Sequence, residues 1–287
     1  MTPHLGTSTH AFAAAGPAAQ RPTPLALDLF KRLQAFCGSV TWEPSFKLAA
    51  GKVLDGRFLL SFAPPDPGLD TRAFFRFMEE LGLPTAYWPA CKANLPDACH
   101  LHLGAEPGPE GLLLKLYLEL FHNPAPTEVG DLLVHLAFKW DSVDPARHAL
   151  ARYYDRSALD AATLKQRVMA ICGPAAGVAK QAEALIEQME DCLPTQDLLL
   201  LEALEEGNPR RTFDLCIYPA ALRVRDLSNW METVFDGFAV PRPRRDILLG
   251  RFGDALLGHF AGGIARDGGE VCSIFYGAGL LGASPGG

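Results

Sequence analysis

Five basic residues, Arg57, Lys115, Lys139, Arg152 and Arg223, fall in runs whose neighbours alternate as strands do. Side chains alternate across a strand, so each run splits into two faces. Lys115, Tyr117 and Glu119 share one face, and Leu112, Leu114, Leu116, Leu118 and Leu120 share the other. His135, Ala137 and Lys139 stand opposite Leu136, Phe138 and Trp140, and Arg57, Leu59 and Ser61 opposite Phe58, Leu60 and Phe62. His148, Leu150, Arg152 and Tyr154 form a further row. Asp214, Cys216 and Tyr218 alternate ahead of Arg223 and Arg225.

A half-exposed sheet would account for any one of these cations. Their recurrence opposite strongly apolar faces points instead to a shared interior. Cations taken out of water need an anion. A diphosphate is compact, multiply charged and matched to both guanidinium and ammonium donors. Tyr117, Tyr153 or Tyr154, Tyr218 and Tyr276 lie in the same runs. Core packing explains any single tyrosine. Together, aromatic faces beside a diphosphate can shield an allylic carbocation from water. Glu43, Glu119 and, more weakly, Asp214 are candidate proton acceptors.

The elements that would position these groups are hairpins separated by helices. A helix is expected over 24–36, then a hairpin over 40–63 and a helix from 70. Hairpins follow at 99–103 with 112–120 and at 132–140 with 148–154. Helical spacing covers 160–171, 175–191 and 197–205. A fourth hairpin is expected at 212–218 with 222–225, helices near 228–238 and 245–257, and a fifth hairpin at 258–266 with 271–276. Connections this short make each pair antiparallel. Ten strands so paired form two sheets or one barrel. Closure removes free edges and leaves the helices outside with their one-sided apolar stripes. The expected class is α/β, an antiparallel barrel of about ten strands within a ring of helices. No P-loop motif is present, and the GxGxxG spacing occurs only at Gly277, Gly279 and Gly282, after the last expected strand rather than after the first.

The 287 residues carry a net charge of −7, which disfavours a nucleic-acid partner. No apolar run is long enough to span a bilayer, and no signal-peptide pattern opens the chain. Seven cysteines without CxxC spacing read as buried thiols of a cytoplasmic protein. The expected organisation is a disordered arm over 1–23, one barrel domain over 24–278 and a flexible tail over 279–287, with a monomer favoured.

The block Trp42-Glu-Pro-Ser-Phe-Lys-Leu48, followed by Gly51-Lys-Val-Leu-Asp-Gly-Arg-Phe-Leu-Leu-Ser-Phe62, resembles the ABBA aromatic prenyltransferases. Within that family it looks closest to the cyanobactin branch, which prenylates ribosomal peptides. The runs 112–120 and 271–276 add to the likeness. The resemblance implies transfer of a dimethylallyl or geranyl group from its diphosphate to an electron-rich side chain of a linear or cyclic peptide. It places the family's early glutamate on Glu43 and its first diphosphate-binding arginine on Arg57. Lys115, Lys139, Arg152 and Arg223 would complete the diphosphate crown, and magnesium would accompany the diphosphate. No DDxxD-type cluster occurs, as a Lys/Arg crown would allow. The alternatives are a prenyltransferase acting on small phenols or indoles, and a ligand-binding barrel without chemistry.

Overall fold

In the computed structural model, ten antiparallel strands close on themselves in chain order, with the first paired to the tenth. The structure describes residues 22–280 apart from 36, 65–70, 109, 121–131, 145, 158–159 and 209–210. Most of the expected arm, the expected tail beyond residue 280 and the Pro-rich connection after Leu120 therefore lie outside the described residues.

Helix α1 (Pro24–Gln34) starts where Thr23 Oγ1 accepts from the Ala26 amide and Pro24 takes the first turn. The first hairpin is β1 (Val40–Ala49) with β2 (Lys52–Phe62), turning at Gly51 with φ +66°. Then come α2 (Thr71–Glu80), α3 (Trp88–Asn94) and the hairpin β3 (Ala98–Pro107) with β4 (Leu112–Leu120). Strands β5 (Leu133–Asp141) and β6 (His148–Asp155) precede α4 (Ala161–Cys172) and α5 (Gly177–Glu190). The fourth hairpin is β7 (Leu199–Glu205) with β8 (Arg211–Cys216). After α6 (Ser228–Gly237) and α7 (Arg242–Phe252), β9 (Leu257–Ile264) and β10 (Glu270–Tyr276) close the barrel. A two-residue strand β11 (Gly279–Leu280) then pairs with Thr41 and Trp42.

Two segments differ from expectation. The run 197–205 is a strand between β6 and β8, although its leucine spacing also suits a helix. Neighbours on both sides decide the matter, because the barrel needs a tenth strand there to leave no ladder group unpaired. The run 222–225 is no strand. It makes one bridge, Arg223 to Leu256, and enters a short 3-10 helix at Val224–Leu227.

The outward strand faces pack against the helices in two apolar clusters. One joins α1, α2 and α3 to β1–β5, with Trp42, Phe62, Phe138 and Trp140 fully buried. The other joins α4–α7 to β7–β10 and β1 around Phe46, Phe213, Phe252 and Phe260. Polar ties fix helix to strand: Glu270 on β10 accepts from the amides of Gly177 and Val178 at 2.8 Å, capping α5. The Trp140 and Trp230 indoles donate to the Leu81 and Gln181 carbonyls. No helix among the described residues is long and apolar enough to cross a membrane.

The strand assignment of 199–205 makes a period-2 prediction. Leu200 is fully buried beneath the helices, and Leu199 lines the interior. Leu200→Ala should lower unfolding free energy by about 2–5 kcal/mol and Leu199→Ala by much less. Chemical denaturation followed by circular dichroism measures both.

Candidate active site

All five hairpin turns lie at one end of the barrel, and the helical connections lie at the other. Inward residues near the turns form one layer, and those near the connections another. Strand β4 shows the layering in one element. Lys115 is near the turn, Tyr117 at mid-depth and Glu119 near the far end, each about 7 Å from the next. The cavity enclosed has a volume of about 450 Å³.

The turn end is cationic. Lys115 stands directly opposite Lys139 in the β4–β5 register, a like-charge pairing that destabilises unless it is compensated. Glu106 on β3 supplies one compensation: it accepts from Lys115 at 3.0 Å, Arg57 at 3.2 Å and Lys47 at 3.5 Å. Glu205 on β7 supplies the other, accepting from Lys139 at 3.0 Å and from Arg266 at the rim. Arg57 also donates to Ser273 Oγ at 2.9 Å. Two carboxylates thus serve five cations, and the layer keeps an excess of positive charge.

Burial disfavours the Glu106 anion, but Lys115, Arg57 and Lys47 outweigh it and hold that carboxyl well below the usual range. Burial likewise opposes Glu205 ionisation, and Lys139 with Arg266 brings it down to about 2. Lys115 has the reverse balance. Burial, reinforced by Arg57 and Lys139, brings its ammonium down to about 7 against the pull of Glu106.

The middle layer is aromatic. Tyr117 and Tyr153 meet edge-on with centroids 5.7 Å apart, and Phe275 lies beneath the Arg57 guanidinium. The far end carries buried carboxylates and imidazoles. Glu43 on β1, opposite Leu59 and one inward position from Arg57, accepts from the Tyr218 hydroxyl at 2.5 Å. Its Oε2 has no hydrogen-bond partner among the described residues. Burial raises the Glu43 pKa, with His259 and the Tyr218 hydroxyl opposing. Tyr218 fits over Gly258, where a Cβ would come within 2.4 Å of its ring. His102 Nδ1 lies 2.7 Å from Ser61 Oγ and its Nε2 lies 3.2 Å from Glu119. Burial drops His135 to about 4. Burial opposes a charge on His259 too, but Cys216 and Asp214 beside it carry its pKa well above the usual value.

The expected residues divide between this cavity and other places. Arg57, Lys115, Lys139, Tyr117 and Glu43 line it, and Tyr218 reaches it through Glu43. Arg152 does not. Lys139 pairs with Ala149 and Ala137 with Ala151, so the odd-numbered residues of β6 point inward. Arg152 instead bonds Glu206 on the outside, Tyr154 stacks on Arg156, and Tyr153 takes the inward position. Arg223 is exposed in a turn capped by Asp226. Tyr276 follows a bulge after Phe275 and packs outward on Phe252 and Phe46. Lys47, Glu106, Glu205, Arg266, His102, His135 and His259 were not singled out. The alternation His100, His102, Gly104, Glu106 on one face of β3 carried that signal.

The fold is that of the ABBA prenyltransferases. The chain superposes on the prenyltransferase PriB, in its binary complex with product diphosphate, with a TM-score of 0.59 at 13% identity over 82% of this chain and 79% of that one. For PriB in a ternary complex with L-tryptophan and dimethylallyl thiolodiphosphate the TM-score is 0.58 at 13% identity, with the same coverage. 5-Dimethylallyl tryptophan synthase from Streptomyces coelicolor gives 0.57 at 12% identity over 82% and 78%. No family model and no curated protein matches the chain.

These matches correct the resemblance to the cyanobactin branch, and with it the ribosomal-peptide acceptor and a role in peptide biosynthesis. The matched structures are a prenyltransferase in complex with L-tryptophan and a 5-dimethylallyl tryptophan synthase. The motif over 42–62 is the β1–β2 hairpin, whose outward apolar residues meet α1 and whose inward Glu43 and Arg57 meet the cavity. Barrel geometry imposes that pattern, so the motif does not separate one branch from another.

The low Lys115 pKa has a measurable consequence. At pH 8 its amine is mostly neutral, and a diphosphate beside it would restore the proton. Binding of dimethylallyl thiolodiphosphate should therefore take up roughly 0.9 proton at pH 8 and little below pH 6. Calorimetry in buffers of different ionisation enthalpy reads this number, and Lys115→Met should abolish it.

Proposed function

We propose that the protein is a prenyltransferase that moves a dimethylallyl or geranyl group from its diphosphate to a small aromatic acceptor, an indole or a phenol. The observation that carries this reading is the buried cationic layer of Arg57, Lys115, Lys139 and Lys47. It has more charge than its carboxylates neutralise and opens onto an aromatic wall in a closed barrel. The ligands bound to PriB, a product diphosphate in one complex and L-tryptophan with dimethylallyl thiolodiphosphate in another, support the same class of substrates.

In this mechanism the allylic C–O bond breaks with its electron pair passing to the diphosphate. Arg57, Lys115 and Lys139 stabilise the charge that develops there. Tyr117, Tyr153 and Phe275 flank the carbocation and keep water from it. The acceptor ring attacks the allylic carbon, and Glu43 receives the proton that the acceptor loses. Its unpartnered Oε2 is the atom available for that contact. Tyr218 orients the carboxylate through Oε1.

Magnesium does not fit the crown as a protein-held ion. It prefers an octahedron of oxygens. Glu106 and Glu205, the buried carboxylates of this layer, already accept from Lys47, Arg57, Lys115, Lys139, Arg266 and Asn208, and Asp141 at its rim accepts from the Val143 and Asp144 amides and pairs with Arg147. No step here passes through the metal.

Incubation with dimethylallyl diphosphate and a panel of indoles and phenols, read by intact-product mass, tests the reading. A gain of one C5H8 unit is expected on an indole or phenol. Arg57→Ala should lower kcat/KM at least 100-fold and Glu43→Gln at least 10-fold, with circular dichroism unchanged. Stoichiometric diphosphate binding without any product would refute the assignment in favour of a ligand-binding barrel.

A further inference from the structure

The far end of the cavity holds a second group of side chains that the transfer mechanism does not use. Glu119 on β4 pairs in register with His135 on β5 and with His100 on β3. His102 lies two residues along β3 on the same face. The ligand atoms of His102, Glu119 and His135 all lie within 4.8 Å of one another, and all three residues are buried. Three adjacent strands therefore deliver two imidazoles and one carboxylate to a single point.

We infer that His102, Glu119 and His135 form a binding site for a first-row divalent metal of the zinc class. Ligands at zinc–nitrogen and zinc–oxygen distances near 2.0–2.2 Å stand roughly 3.3 Å apart around a tetrahedral ion. His102 Nε2 and Glu119 Oε2 are 3.2 Å apart already. The His135 ligand atom lies within 4.8 Å of both, near enough for a side-chain rotation to complete the set. Ser61 Oγ at 2.7 Å from His102 Nδ1 supplies the outer hydrogen bond that fixes the ring and turns Nε2 toward the ion. The nitrogen donors select a borderline-soft ion over magnesium or calcium.

His102 and His135 both line the cavity, so three protein ligands leave a fourth position facing it. That is the pattern of zinc sites that bind a further ligand, and it suits an anionic oxygen or nitrogen of a molecule in the cavity. The site stands independently of prenyl transfer, because it needs no diphosphate.

Tag-free full-length protein, loaded with Zn²⁺ or Co²⁺ and then freed of excess, provides the test. One metal ion per chain should remain by elemental analysis, the Co²⁺ form should show tetrahedral d–d absorption, and Zn²⁺ should raise the melting temperature. Glu119→Gln and His135→Leu should each cut retained metal at least tenfold and remove the thermal shift. His148→Ala, at the opposite rim, should leave both unchanged. Glu119→Gln keeps a hydrogen-bond partner for His102 and His135→Leu is apolar, so a folded variant remains if either one misfolds. The absence of stoichiometric metal in the wild-type protein, or equal retention in folded Glu119→Gln or His135→Leu protein, would overturn the site.

Discussion

Two lysines that face each other across a pair of strands, inside a barrel with no open edge, set the terms for the rest of this structure. Like charges directly opposite each other on paired strands destabilise the pairing unless they are compensated. Lys115 and Lys139 cannot relieve that repulsion by turning outward, because a one-residue slip would bury the cations under the helices and expose leucines. The relief comes from Glu106 and Glu205, each contributed by a strand next to or near its lysine and each shared with an arginine. The balance stays positive, and an anion entering the turn end would complete it.

That arrangement also explains the order of the layers. Strand β4 carries ammonium, phenol and carboxylate at successive inward positions, and nearby strands follow the theme with Arg57 and Ser61 on β2 and with Lys139 and His135 on β5. Charge separation in an ionising diphosphate would run along this axis. In the proposed reaction the leaving group would meet cations, the allyl group rings, and the acceptor Glu43, one of whose carboxylate oxygens accepts from Tyr218. Gly258 matters here only because any side chain would displace Tyr218.

Much of this was legible in the sequence because period-2 alternation is a local signal. The faces of β2, β4 and β5 follow from Arg57, Lys115 and Lys139 against their apolar neighbours. The face of β6 was not legible: adjacent Tyr153 and Tyr154 suit either side, and only pairing with β5 puts Ala149, Ala151 and Tyr153 inward. Tyr276 turns outward through a bulge that has no local marker. The segment 199–205 has helical spacing and becomes a strand through its two partners. Glu106 was overlooked for a different reason. It sits beside a Pro-Gly turn where acidic residues are ordinary, and its role depends on cations from three other strands.

The central claim is that the turn end of the barrel is a diphosphate site. A crystal structure with dimethylallyl thiolodiphosphate tests it most directly. A diphosphate site there predicts phosphate oxygens within about 3.2 Å of the Arg57 guanidinium and the Lys115 and Lys139 ammonium groups, with the allyl chain against Tyr117 and Tyr153. A diphosphate bound at the helix-connection end or on the outer surface, with those three side chains still engaged only by Glu106 and Glu205, would contradict it.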